Sequence, residues 1–352
     1  MQRIFLGLGA LALSSTSAMA GGLDRSGQNI TSIFETGNYA ELSFGYVTPD
    51  VTGNFAGLFA SGNVGPAYSQ LSFAVKTDLN PKISIGLIVD QPYGAEVNYA
   101  DVGYVLGGTT ATVDSTAITL LGRYKISDAF SVHAGLREVT LNGNVNLASF
   151  GVTNYQATFA PASDLGYVVG AAFERPDIAL LVALSYFSST THAMDSTVFG
   201  ADAGPTTIEM PQAVNLDFQT GVAANTLVFG QIRWAEWTTT VLNAPLYTAN
   251  PLLSYDNDVI TYSLGVGRKF NDAFSGAVTV GYEKTVGGLS SNLTPTDGFF
   301  SLGLGGTYTK GNMKVSAGVK YVWLGDAVTE TLLSEFNDNT ALGVGVKVAF
   351  TF

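Results

Sequence analysis

Isolated cations recur at alternate positions of segments that otherwise carry small or apolar side chains. A guanidinium or ammonium group on a largely apolar surface can bind a carboxylate through charge-assisted hydrogen bonds. The four cations that fit this description best are Arg123, Arg137, Arg233 and Lys320. We expect them to anchor the carboxylate of an amphipathic ligand whose alkyl chain lies against apolar residues of the same faces, such as Leu121, Leu181 and Phe187.

The same faces also carry acidic residues, which leaves a second interpretation open. Each cation could pair with a neighbouring carboxylate instead of a ligand. The other charged residues on these faces are Glu41, Lys76, Glu174, Asp217, Glu283 and Lys347. Because they are few, the pattern does not resemble the dense transverse rows of Arg and Asp expected in a hydrophilic porin.

Catalytic chemistry has little support in the sequence. His133 alternates with Arg137, and His192 follows Ser188-Ser-Thr-Thr191, but neither stands in a recognisable lipase or protease signature. The chain has no Cys, so disulfides and thiolate metal sites are excluded. We expect no enzyme activity, no cofactor and no metal.

The segments that position these side chains are best seen in the last thirteen residues, 340–352. The apolar residues alternate strictly with small or polar ones, which places the two sets on opposite faces of a strand. The apolar set is Leu342, Val344, Val346, Val348, Phe350 and Phe352. An apolar outer face, a small or polar inner face and a terminal aromatic residue indicate the closing strand of an outer-membrane β-barrel. We expect it to pair with residues near 39–47.

Composition agrees with this interpretation. Of the 352 residues 46% are hydrophobic and 12% charged, yet beyond the N-terminus no run of apolar residues is long enough for a spanning helix. The net charge of −12 argues against binding to nucleic acid. Arg3, an apolar run from Ile4 to Leu13 and the Ala18-Met19-Ala20 site form an export signal, so residues 1–20 are predicted to be cleaved.

Short polar breaks separate pairs of alternating segments and predict tight hairpins. They lie at Asp78-Leu-Asn-Pro81, Ser127-Asp128, Arg175-Pro-Asp177, Ala224-Asn225, Asn271-Asp272 and Lys310-Gly-Asn312. Longer connections are predicted near 91–113, 142–160, 191–212, 238–256, 286–297 and 325–339. This asymmetry, and about fourteen segments, predict an all-β, antiparallel transmembrane barrel over residues 39–352. Residues 21–38 would form a short N-terminal plug in its lumen; a soluble β-sandwich is the alternative fold.

Several stretches carry a family resemblance: Gly45-Tyr-Val-Thr-Pro-Asp-Val-Thr-Gly53, Gln91-Pro-Tyr-Gly-Ala-Glu-Val-Asn-Tyr99, Met210-Pro-Gln-Ala-Val-Asn-Leu216 through Trp234-Ala-Glu-Trp237, and Leu264-Gly-Val-Gly-Arg-Lys-Phe270 with Val280-Gly-Tyr282. In this order they resemble the FadL/TodX family of outer-membrane transporters of long-chain fatty acids and hydrophobic compounds. The resemblance implies passive uptake with release through the plug or through a lateral opening in the wall. The chain departs from the family in lacking an Asn-Pro-Ala element near its start and in a shorter 142–160 connection.

The expected partners follow from this interpretation. They are a long-chain fatty acid or other hydrophobic small molecule, the lipid and lipopolysaccharide of the membrane, and the assembly machinery, whose recognition signal the terminal Phe352 resembles. A monomer is expected. The alternative functions are a general diffusion porin and, less favoured, an outer-membrane enzyme.

The connection 191–212 is unusually apolar for an external loop. We interpret it either as an external capture site for a hydrophobic substrate or as ordinary loop packing over the barrel mouth. Its apolar residues are Met194, Val198, Phe199, Ile208 and Met210.

Overall fold

The computed structural model describes residues 22–249 and 251–352, in which fourteen antiparallel strands close into one barrel. The predicted export signal lies outside this part of the chain. The strands are β1 (Tyr39–Asp50), β2 (Tyr68–Asn80), β3 (Ile83–Asp90 and Gly94–Asn98), β4 (Thr110–Lys125), β5 (Phe130–Ser149), β6 (Val152–Arg175), β7 (Leu180–Phe187 and Thr190–Val198), β8 (Ala201–Met210 and Ala213–Ala223), β9 (Thr226–Ala235), β10 (Val259–Lys269), β11 (Phe274–Glu283), β12 (Phe299–Lys310), β13 (Met313–Leu324) and β14 (Thr340–Thr351). The predicted fold class is confirmed.

The remaining regular elements are short and lie at the barrel ends or in the lumen. Three 3₁₀ helices cover Thr31–Phe34, Pro176–Ile178 and Trp237–Thr239. Among the connections on the side away from the tight turns, a two-stranded ribbon joins Val241–Leu242 to Leu253–Ser254, and a five-stranded sheet combines Thr52–Phe55, Phe59–Asn63, Leu289–Ser290, Ala327–Thr329 and Glu335–Phe336. No helix among the described residues is long and apolar enough to cross a membrane.

The barrel closes where the alternation predicted it. β14 pairs with β1 in continuous register from Tyr39 opposite Thr351 to Asp50 opposite Thr340. Leu342, Val344 and Val346 are each almost half exposed, whereas Ala341 is buried in the interior. The alternating faces therefore separate a lipid-facing surface from a lumen.

Large aromatic side chains also line the outer surface. They cluster toward the strand ends, as membrane-interface residues do. Outward aromatic residues include Tyr46, Tyr124, Phe130, Tyr167, Tyr262, Phe274, Tyr282, Phe300, Tyr308, Tyr321 and Trp323. This distribution defines a membrane band, with the tight turns on one side and the long connections on the other.

Two predicted loops are wrong. The stretch 142–160 is the tip of a long hairpin in which β5 and β6, of 20 and 24 residues, turn at Phe150 and Gly151. The stretch 191–212 is a second hairpin that turns at Phe199 and Gly200. Both extend beyond the membrane band, where polar outward residues are stable in water, so the lack of an apolar outer face marked solvent exposure and not loss of strand structure.

Three barrel strands are interrupted within the wall. β3 breaks at residues 91–93, β7 at 188–189 and β8 at 211–212. The last two breaks lie side by side, since Phe187 pairs with Ala213 and Thr190 pairs with Met210. Pro92 and Pro211 lack the N–H that a continuous ladder requires. These breaks bring irregular backbone to the height at which the N-terminal segment crosses the lumen.

Candidate ligand path and its plug

Residues 22–38, which we call the plug, pack inside the barrel. Leu23, Ile30 and Ile33 are each at most 3% exposed and belong to one apolar cluster with residues of the wall. The plug crosses the lumen from residues 91–93 toward the turn side of β1. Its position confirms the lumenal plug segment predicted from the sequence.

The start of the plug pairs with the break in β3. The Gly94 N–H donates to the Leu23 carbonyl at 2.9 Å, and the Arg25 N–H donates to the Pro92 carbonyl at 2.8 Å. Asp24 and Tyr93 thereby form an isolated antiparallel bridge. The plug satisfies backbone groups that the break in the wall leaves without a regular ladder partner.

A buried ion pair fixes the plug to the opposite wall. Arg233 on β9 donates to Asp24 through Nη2 at 2.8 Å and Nε at 3.1 Å, and its Nη1 donates to Asn215 Oδ1 at 3.0 Å. The Asn215 amide in turn donates to the carbonyl of Gly27 at 2.9 Å. The predicted ligand anchor Arg233 is thus engaged by the plug, in a bidentate geometry suited to strong pairing.

The far end of the plug docks on β2 and β4. Lys76 Nζ donates to the carbonyls of Glu35 at 2.9 Å and Gly37 at 2.7 Å. The Arg123 guanidinium lies 4.8 Å from the centre of the Phe34 ring. Arg123 also pairs with Glu174 and donates to Ser131 at 3.0 Å, so the alternative in which the cation pairs with an acidic residue holds for Arg123.

Arg137 has a different environment. It is 3% exposed and its guanidinium lies 6.0 Å from the centre of the Tyr93 ring and 5.9 Å from that of Phe187. Its Nη2 atom has no hydrogen-bond partner among residues 22–249 and 251–352. A buried N–H donor near two aromatic rings, beside the break in β3, can donate to a carboxylate oxygen of a ligand.

Lys320 stands on β13 between two glycines, Gly303 of β12 and Gly343 of β14. It lines a cavity of about 640 Å³ on the turn side of the plug. The same cavity is lined by Asp217, whose Oδ1 accepts from Gln231 at 2.9 Å and whose buried Oδ2 has no partner in the described chain. This part of the lumen has a mixed polar and apolar lining and is open where the plug leaves β10–β14 uncovered.

Both histidines contact neighbouring side chains or backbone groups inside the barrel. His133 Nε2 lies 2.9 Å from Ser185 Oγ, and its ring meets Phe34 edge-on at 5.6 Å. His192 contacts the Ala162 carbonyl and Thr190 Oγ1, each at 3.0 Å. No group of three or more His, Cys, Asp or Glu residues in the described chain is arranged to hold a metal ion.

The five residues proposed for external capture divide into two groups. Met194, Val198, Ile208 and Met210 are buried and pack in the cluster that includes the plug, whereas Phe199 is 59% exposed at the hairpin tip. Leu242, Ala244, Leu252 and Leu253 from residues 236–258 complete this cluster. The apolar part of the upper lumen is therefore filled by an external segment and forms no open groove on these residues.

Sequence reasoning missed three residues that organise the site: Asp24, Tyr93 and Trp237. Each lies in a stretch without sustained alternation, where period-two analysis assigns no face. Trp237 is fully buried, with its ring 5.7 Å from Tyr93 and 5.1 Å from Tyr255. Burial raises the pKa of the Tyr255 hydroxyl, helped by the nearby carboxylate of Asp24, so the hydroxyl remains a donor.

The closed barrel, its apolar outer band and its ion-paired plug define a plugged outer-membrane β-barrel. A Pseudomonas aeruginosa FadL homologue superposes with a TM-score of 0.76 at 14% identity, over 95% of this chain and 96% of that one. The P. putida toluene transporter TodX gives 0.67 at 12% identity over 92% of each chain. The CymD monoaromatic hydrocarbon channel gives 0.62 at 11% identity, over 96% of this chain and 97% of that one.

These likenesses establish the fold, and the resemblance predicted from the sequence is confirmed at that level. No protein-family model and no curated protein sequence matches the chain. The substrate must therefore be argued from the residues of the lumen.

Proposed function

We propose that the protein carries hydrophobic small molecules, long-chain fatty acids among them, passively across the outer membrane. The observation that carries this proposal is Arg137, a buried cation with one unpartnered nitrogen beside the rings of Tyr93 and Phe187. A fatty acid offers the matching combination of one carboxylate and a long apolar chain.

Of the four predicted anchors, Arg137 and Lys320 remain candidates for direct contact with the ligand. Arg233 and Arg123 are each engaged in an ion pair, with Asp24 and Glu174 respectively. In the proposed path the ligand first meets the apolar cluster of the upper lumen, then Arg137. Lys320, in the cavity beyond the plug, would attract the carboxylate only if the ligand continues toward the turn side.

The break in β3 offers a lateral exit. There the wall is held by side chains, since Ser115 on β4 donates to the Tyr93 carbonyl at 2.7 Å and accepts from its N–H at 2.8 Å. On the other side, the Leu71 N–H of β2 donates to Gln91 Oε1 at 3.0 Å. Because the plug covers this break from inside, we propose that its displacement releases the ligand sideways into the membrane.

Arg137→Ala is expected to weaken binding of labelled oleate in detergent by about tenfold or more, because one charge-assisted hydrogen bond contributes roughly 1.5–3 kcal/mol. The matched control is Arg175→Ala, since Arg175 is half exposed at a turn and pairs only with Asp177 in the described chain. Unchanged oleate affinity in the Arg137 variant, with the control also unchanged, would remove Arg137 from the site.

The porin alternative makes an electrical prediction. A hydrophilic porin would show large, steady ionic conductance in planar bilayers, whereas a lumen filled by the plug and by residues 236–258 should conduct little. The recording therefore separates the two functions without requiring knowledge of the substrate. Steady conductance of the unmodified protein would contradict the proposed transport of hydrophobic molecules through a closed lumen.

A further inference from the structure

Residues 236–249 and 251–258 form a cover over the upper lumen, and we call them the cover segment. It begins where the Glu236 N–H donates to the Gln212 carbonyl at 3.0 Å, and Tyr155 on the long β6 holds its middle by donating to the Pro245 carbonyl at 2.8 Å. Its buried face packs Leu242, Leu252 and Leu253 into the cluster that contains the plug. A molecule that enters the upper lumen must therefore displace or join this packing.

Trp237 is the point where the cover segment meets both the plug and the wall. Its ring packs edge-on against Tyr93 in the break of β3 and tilted against Tyr255. At Gly22, the first described residue of the plug, an added Cβ would overlap the indole ring. Trp237 is thus in direct contact with the two features proposed above to control release of the ligand.

Three buried polar atoms of the cover segment have no hydrogen-bond partner among the described residues. They are Trp237 Nε1, Thr240 Oγ1 and Tyr255 Oη. Trp237 and Thr240 lie within one 3₁₀ turn, since the Thr240 N–H donates to the Trp237 carbonyl at 2.9 Å, and the rings of Trp237 and Tyr255 are adjacent. Buried polar groups are nearly always paired, so three unpaired groups on one short segment are unusual and costly.

Other hydroxyls buried in the same region do have partners. Tyr155 donates to Pro245, as described, and the Tyr99 hydroxyl donates to the Asn292 carbonyl at 2.7 Å. Burial by itself therefore does not leave a hydroxyl without a partner, although eight further buried side-chain atoms of the described residues, Arg137 Nη2 among them, are also unpaired. Two of the three unpaired groups of the cover segment, the indole N–H and the phenol, can donate to an oxygen atom supplied from outside the chain.

We propose that the cover segment is a binding site for hydrophobic molecules that carry an oxygen atom, such as alcohols and carboxylic acids. The apolar body of the ligand packs against the cluster, and its oxygen accepts hydrogen bonds from Trp237 Nε1 and Tyr255 Oη, with Thr240 Oγ1 as a further partner. A pure hydrocarbon fills the same apolar space but leaves the three groups unpaired. This inference rests on the proposed function and specifies which hydrophobic molecules the upper lumen prefers.

The chain offers a direct reporter of this site. Of its three tryptophans, Trp234 and Trp323 lie at outward positions of β9 and β13, and Trp237 is the buried one. The double variant Trp234→Phe/Trp323→Phe leaves indole emission to Trp237. We expect 1-octanol to change this emission at a mole fraction in the detergent about tenfold lower than octane requires, since one satisfied hydrogen bond to a buried donor changes binding by roughly that factor.

Removing one of the three unpaired groups should stabilise the fold and weaken the preference for octanol over octane. In the reporter protein, Tyr255→Phe and Thr240→Val should each raise the midpoint of thermal unfolding, because a buried unsatisfied atom is lost while the shape is kept. Each should also reduce the preference for octanol over octane severalfold, with the affinity for octane unchanged. Tyr99→Phe is the matched control, since its hydroxyl has a partner outside the cover segment, the Asn292 carbonyl: it should lower the midpoint and keep the preference.

The result that overturns the inference is equal binding of octanol and octane, with no effect of Tyr255→Phe or Thr240→Val on their ratio. Binding of both probes with equal affinity would leave the proposed transport of hydrophobic molecules standing. Absence of any response of Trp237 to either probe would also overturn the inference. The oleate measurement on Arg137→Ala then decides the proposed function separately, because its readout does not involve the cover segment.

Discussion

Asp24→Asn is expected to release the plug from the lumen. The substitution leaves the Arg233 guanidinium buried without its anion, and breaking one partner of a buried pair costs about 3–5 kcal/mol. The open state of the plug should then be populated about a hundred- to several thousandfold more often. Arg25 provides the measurement, because it is the single Lys or Arg of residues 22–38 and is 7% exposed with the plug in place.

Trypsin cleavage after Arg25, followed by the mass of the released fragment, should therefore accelerate strongly in Asp24→Asn. The rate follows the population of the open state as long as the plug closes faster than the protease cuts. The double variant Asp24→Asn/Arg233→Gln should be cleaved more slowly than Asp24→Asn alone, because no unpaired buried charge remains. Arg175→Ala, which removes an exposed pair, should leave the rate unchanged. Equal cleavage of wild type and Asp24→Asn would show that the ion pair does not hold the plug.

Val346→Arg is expected to destabilise the barrel by roughly 2–4 kcal/mol in lipid vesicles, the cost of placing a cation at the lipid face near the bilayer midplane. Val346 lies at the middle of β14, is 48% exposed, and pairs with Phe44 on β1 and Ala317 on β13. The measurement is the urea concentration at the midpoint of unfolding, converted to free energy with the measured slope.

Two comparisons make the result specific to the outer face. Val346→Leu keeps the apolar contact with lipid and should leave the midpoint close to that of the unmodified protein. The next residue, Lys347, shows that the inner face accepts a cation, since its Nζ lies 3.2 Å from Glu41 of β1. Equal midpoints for Val346→Arg and Val346→Leu would contradict the assignment of this face to lipid.

The predicted cations illustrate how far residue type alone can define a site. The sequence identified Arg123, Arg137, Arg233 and Lys320 as isolated cations on inner faces, and the structure places Arg123, Arg137 and Arg233 in the interior with Lys320 lining a cavity. It could not separate them by partner, because partners come from strands and segments far apart in the chain. Arg233 meets Asp24 across more than 200 positions, whereas Arg137 meets two aromatic rings.

The sequence by itself determined the membrane-spanning fold. A period of two sorts side chains onto lipid and lumen faces locally, and the polar breaks locate the hairpins, so the strand number and the closure of β14 on β1 follow without long-range information. The same reasoning failed at 142–160 and 191–212, because above the membrane a strand can be polar outside and the hydropathy signal no longer distinguishes it from a loop.

Only the tertiary structure decided how the lumen is filled. The plug, the break in β3 and residues 236–258 have no periodicity, and their conformations depend on contacts with one another through Asp24, Tyr93 and Trp237. Such contacts depend on the closed barrel, which fixes the distance between opposite walls. The terminal strand therefore identifies the barrel, while the contacts of the irregular segments inside it decide how the lumen is filled.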